Sequence, residues 1–164
     1  MGSWRQANIV KLGIKNYEVK QLDLSKGRAA QIHLETIISQ GNETEKHVFD
    51  EAGKVVQMNS SYYIRFQETY ESGTVPVTVK IDPSGIVTLT RKGETTTRMR
   101  FDKGERFETL YRTPQGVISV ETMTKNMQIS YTDKPFSGRV YIEYDLFLGK
   151  EKLGDYKLQL LFTI

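Results

Sequence analysis

A chain of 164 residues with 38% hydrophobic and 26% charged side chains fits one soluble domain with a sizeable single core. No apolar run approaches the ~20 residues that a membrane-spanning helix requires, residues 1–20 lack the continuous apolar stretch of a secretory signal, and the lack of cysteine excludes disulfides and thiolate chemistry; together these point to the cytoplasm. The net charge of +3 sits in residues 1–22, where Arg5, Lys11, Lys15 and Lys20 face Glu18 alone, so the remainder is neutral and a nucleic-acid partner is disfavoured.

Residues 1–22 form a basic N-terminal extension, read as a short helix or a disordered arm, and residues 23–164 form the domain. Within the domain, Ala30 to Ser39 alternate with Ile32, Leu34 and Ile38 on one face, as in a half-buried strand. Gln40 to Glu43 turn the chain. A second strand runs near Glu45 to Asp50, and Glu51-Ala52-Gly53 bends it into Lys54 to Met58. Tyr62, Ile64 and Phe66 then share a face, followed by Val75, Val77, Val79 and Ile81, and by Val87 and Leu89. Thr97, Met99 and Phe101 oppose Arg98 and Arg100. Phe107, Thr109 and Tyr111 oppose Arg106, Glu108 and Arg112. Next come Ile118, Val120 and Thr122, then Met127, Ile129 and Tyr131. Val140 to Leu148 and Tyr156 to Phe162 complete the series.

Turn signals such as Asp82-Pro83-Ser84-Gly85, Asp102-Lys103-Gly104 and Thr113-Pro114-Gln115-Gly116 cut these stretches at near-regular intervals. One-sided alternation on short-connected strands describes an all-β, antiparallel up-and-down meander. No amphipathic helix is available to cover a sheet, so closure into a barrel of about 8–10 strands is the economical way to remove edges.

Several segments together resemble one family. They are Tyr63-Ile64-Arg65-Phe66, Val77-Thr78-Val79-Lys80-Ile81, Arg91-x-Gly93-Glu94 with Arg98-Met99-Arg100-Phe101, Tyr111-Arg112-Thr113-Pro114-Gln115-Gly116, Glu121-Thr122-x-Thr124 and Tyr144-Asp145-Leu146. From Leu24 to the C-terminus the chain is similar to the YwiB family of small bacterial proteins. The resemblance implies a calycin-type, lipocalin-like barrel and carries no activity with it; calycin relatives imply small apolar ligands in the lumen.

Strand phase places Tyr62, Tyr111, Tyr131, Tyr144 and Tyr156 on inward faces, with Phe66, Met99 and Phe101 as apolar wall and Thr97, Thr109 and Thr122 between them. This set reads as a candidate ligand-binding lumen, mostly apolar with a few convergent hydroxyls. The alternative is a packed core whose tyrosines pair with backbone, water or each other. Glu68 is in phase with Tyr62, Ile64 and Phe66, and is read as a strand end that has reached solvent. Were it inside, it would be a lone carboxylate and a ligand contact.

Outward faces gather Arg91, Lys92, Arg98, Arg100, Lys103, Arg106 and Arg112. Arg98, Arg100, Arg106 and Arg112 form a candidate anion patch, although Glu94, Asp102, Glu105 and Glu108 interrupt it, as on an ordinary cross-paired sheet surface. His33 and His47 fall on different strands without metal-ligand spacing, and no nucleophile elbow or phosphate loop is present. No metal or cofactor is expected. The chain therefore reads as a non-enzymatic barrel that binds a small, largely apolar molecule. The alternative is a surface module that meets an acidic protein or RNA through the arginine strand pair and the basic arm.

Overall fold

Alternation with a period of two commits each stretch to one wet and one buried face, and the turns between them allow only antiparallel neighbours. The computed structural model describes residues 23–164; the basic extension read over residues 1–22 lies outside the described residues. Ten strands follow in order: β1 Arg28–Gln40, β2 Glu43–Met58, β3 Ser61–Tyr70, β4 Gly73–Ile81, β5 Val87–Lys92, β6 Thr96–Phe101, β7 Arg106–Thr113, β8 Gly116–Thr132, β9 Ser137–Leu148 and β10 Glu151–Thr163. Each pairs with its neighbour in sequence, and β10 closes on β1 to complete a barrel.

Two stretches expected as pairs of segments are single long strands. β2 runs unbroken through Gly53, where a side chain would have no room: a Cβ there would lie 2.5 Å from the Arg65 carbonyl oxygen and 2.9 Å from Ile32. Gly53 thus lets β1 and β3 approach rather than bending the chain apart. β8 joins Ile118 to Tyr131 through a bulge between Thr124 and Asn126 that resets the inward phase to Met127. A second bulge, between Lys152 and Gly154 of β10, lies nearby. Together the bulges set Lys125 3.1 Å from Asp145 and 3.3 Å from Asp155, while Lys152 reaches Asp155 at 2.6 Å.

The up-and-down order puts the tips at 41–42, 71–72, 93–95, 114–115 and 149–150 at one end of the barrel, and the tips at 59–60, 82–86, 102–105 and 133–136 at the other. Gly41 and Gly149 turn with φ of 60° and 61°, a left-handed conformation that favours glycine. The second end is plugged. Leu24 is 1% exposed, and its carbonyl accepts hydrogen bonds from Gln57 and Gly27. Phe136 folds inward beside Tyr62, Tyr131 and Phe162 with ring centroids 5.6 to 6.1 Å away. Phe66, Met99 and Phe101 continue this packing toward the middle, all essentially buried.

One seam is weak. β6 and β7 are joined by a single paired position, Thr96 with Arg112, whereas β5 and β6 pair from Val87–Phe101 through Lys92–Thr96. The start of β7 leans instead on β8, where Gly104 donates to the Thr124 carbonyl and Thr124 donates to that of Glu105.

Candidate functional site at the open end

At the end away from the plug the inward-facing residues remain wet. Ile118 shares the phase of buried Val120 and Thr122, and Leu148 that of Tyr144 and Leu146, yet they are 51% and 45% exposed. Below this rim the barrel gathers Tyr111 from β7, Tyr144 from β9 and Tyr156 from β10. Tyr144 and Tyr156 stand opposite each other in register and stack with centroids 5.0 Å apart. The fully buried Phe101 packs against Tyr144 with ring centroids 4.8 Å apart.

The five inward tyrosines therefore do not form one lining. Tyr62 and Tyr131 pack against each other at the closed end, 5.1 Å between centroids, while Tyr111, Tyr144 and Tyr156 converge at the open one. Of the expected apolar wall, Phe66, Met99 and Phe101 belong to the core.

Glu68 is the main correction. It does not reach solvent; it is fully buried and is no lone carboxylate. Arg91 does not join the outer arginines. It is in phase with Val87 and Leu89, points into the barrel, and grips Glu68 through Nε at 2.9 Å and Nη2 at 3.0 Å. Tyr70 donates its hydroxyl to the same carboxylate at 2.8 Å. The Glu68 oxygens thus accept a two-pronged guanidinium and a phenol, the pattern that makes burial of a carboxylate tolerable. Arg91 keeps 27% of its side chain exposed toward the open end.

The electrostatics follow from this geometry. Burial pushes the Tyr70 hydroxyl up to about 12, helped by its bond to Glu68. Burial opposes the Arg91 charge, but the Glu68 hydrogen bonds outweigh it and hold the guanidinium charged. Burial also raises Tyr144, against the pull of nearby Arg91, and raises Tyr111 with a further push from Tyr156. All these phenols stay protonated at neutral pH and present neutral hydroxyls. Deeper, Thr109 and Thr122 bond to each other at 3.3 Å, and the buried Thr124 hydroxyl, opposite Tyr144, has no partner among the described residues.

The outer arginines separate at the weak seam. Arg98 and Arg100 border a groove of about 440 Å³ with Lys80, Asp82, Phe107 and Glu108. Phe107, expected on the inner face with Thr109, fills the gap there, with the Arg100 guanidinium 4.9 Å over its ring. Arg106 is held by Glu121 at 2.8 Å and lies over Phe147, and Arg112 pairs with Thr96 in register. Four arginines expected as one patch are therefore divided, and acids stand beside those that line the groove.

Comparison with known proteins agrees with the architecture. The chain is similar to the uncharacterized beta-barrel protein YwiB of Bacillus subtilis (strain 168), with 26% identity over 121 residues, covering 74% of this chain and 83% of that protein. Its fold matches the crystal structure of the ywiB protein from Bacillus subtilis with a TM-score of 0.73 at 22% identity, over 84% of this chain and 92% of the other. Residues 32–160, from the first inward strand to the last, match the family described as Domain of unknown function (DUF1934), and the chain belongs to that family of YwiB-like β-barrels.

Proposed function

We propose that the chain is a cytoplasmic, non-enzymatic binding protein that takes a small, largely apolar molecule into the open end of its barrel. The observation that carries this reading is the contrast between the two ends. Leu24 and Phe136 seal one, while Ile118 and Leu148 leave inward-phase apolar surface wet at the other. Exposed apolar side chains above a few convergent polar groups are the usual composition of a ligand site. Tyr111 and Tyr156 flank the entrance, Tyr144 lies beneath, and the Glu68–Arg91 pair supplies a polar wall. The filled lower half limits the guest to the upper half of the barrel, so it must be small.

The test is native mass spectrometry of the purified chain, compared with an Ile118→Arg/Leu148→Arg variant that charges the rim. A small-molecule adduct on the parent protein that disappears from the variant supports the reading. Equal adducts on both proteins, or none on either together with no uptake of added apolar probes, removes it.

A further inference from the structure

Given a ligand site at the open end, the charge balance inside it restricts what can enter. Glu68 is fully buried and takes Nε and Nη2 of Arg91, so the cation that the described residues place inside the upper barrel is already neutralised by an anion that water cannot reach. A guanidinium has five N–H donors, and a two-pronged carboxylate leaves the others available. The polar groups beside it are uncharged: the phenols of Tyr111, Tyr144 and Tyr156, and the buried hydroxyl of Thr124, which has no partner among the described residues. Tyr156 also bonds Gln40, and the charge that acts on it from the rim, Glu45, is negative. The wall thus offers donors without net charge.

We infer that the guest is an amphiphile whose polar end is an uncharged hydrogen-bond acceptor, a carbonyl of the amide, ester or ketone class, and not a carboxylate or phosphate. A carbonyl oxygen can accept from the free N–H groups of Arg91 and from a phenol while its chain lies against Ile118 and Leu148. An anionic head would bring a second negative charge beside Glu68 in a site of low dielectric, where the Arg91 charge is already balanced. A cationic head would face the Arg91 donors and be repelled. The inference rests on the open end being the ligand site, and it adds which chemistry that site selects.

The experiment compares decanamide with decanoate, two chains of matched length, by isothermal titration calorimetry on the full chain. Decanamide is expected to bind at least tenfold more tightly than decanoate. Glu68→Gln keeps the shape of the side chain and frees the Arg91 charge, so in that variant decanoate should overtake decanamide. Decanoate ahead in the parent protein, or an unchanged order in Glu68→Gln, overturns the inference while leaving the site in place. Binding of neither chain removes the open end as a ligand site, and the inference with it. Should Glu68→Gln prove too unstable to purify, the order in the parent protein decides alone.

Discussion

Glu68 on β3 and Arg91 on β5 meet inside the barrel across the intervening strand β4, joined by contacts of 2.9 and 3.0 Å. On β4 their register partners are Val75 and Val77, so the two side chains bridge adjacent rungs of the inner face. A buried ion pair of this kind is weak evidence for stability, because desolvation cancels most of the attraction. It is strong evidence for register, since a one-residue slip of either strand would turn one partner outward and strand the other.

The pair should be costly to break and cheap to replace. Arg91→Met leaves the Glu68 carboxylate fully buried with Tyr70 as its remaining partner among the described residues, and is expected to destabilise the barrel by about 3–5 kcal/mol. Glu68→Leu with Arg91→Met should restore stability to within about 1 kcal/mol of the parent. Urea denaturation of the parent, the single and the double variants measures both. A double variant as unstable as Arg91→Met would show that the pair itself contributes net stability.

The location of this pair explains how far the sequence could be read. Strand phase gives the face of a residue, and it placed the tyrosines inside and Arg98 and Arg100 outside. Phase also aligns Arg91 with Val87 and Leu89, whereas its charge and its neighbour Lys92 point to the outer patch. Height along the barrel is a different quantity. Tyr62 and Tyr111 have the same inward phase and stand at opposite ends, a distinction that depends on where each turn falls. The long strands were hidden for local reasons. Gly53 looks like a break because it carries no side chain, and the bulge at Lys125 resets the alternation midway through β8. The weak seam between β6 and β7 leaves no mark in the pattern, since both strands alternate normally.

Gly138 sits where the ring of Phe162 needs its space, and a Cβ there would overlap that ring. Gly138→Ala should destabilise the fold by about 1–3 kcal/mol through overpacking. Phe162→Leu alone should also destabilise it by leaving space at the plug. The double variant should lose less than the two losses combined, because each substitution relieves the other. Chemical denaturation of the four proteins gives the coupling, and strict additivity would mean that Phe162 can move away freely.

His33 on β1 hydrogen-bonds Asp50 on β2 at 2.6 Å, and Glu35 lies 3.6 Å from its other nitrogen. The hydrogen bond to Asp50 is the main reason its pKa is raised above the ordinary 6.5, and partial burial opposes it. Because the folded value is the higher one, the stabilisation is fully present below about pH 6.5 and is lost as pH rises through the folded value. As an exposed pair it contributes only ~0.2–1 kcal/mol. The difference in stability between the parent and His33→Gln should therefore shrink from pH 5.5 to 8.5. A constant difference over that range would mean that the imidazolium–carboxylate contact contributes nothing in solution.

The division of the barrel into a plugged and an open half predicts that affinity and stability respond to different residues. Tyr111→Phe and Tyr144→Phe remove hydroxyls that face the proposed guest while keeping the rings, that of Tyr144 packed against Tyr156 and Phe101. Each should weaken binding of a carbonyl-bearing probe by several-fold, the size of one neutral hydrogen bond worth about 0.5–1.5 kcal/mol. Unfolding midpoints should barely move. Phe136→Ala at the plug should do the reverse, costing about 3–5 kcal/mol of stability while leaving the affinity of the folded protein unchanged. Calorimetric titration below the variant's unfolding range, paired with thermal melts, separates the two effects. If Phe136→Ala weakened binding as strongly as Tyr144→Phe, the guest would have to reach the closed end, and the barrel would be one continuous cavity rather than a cup above a core.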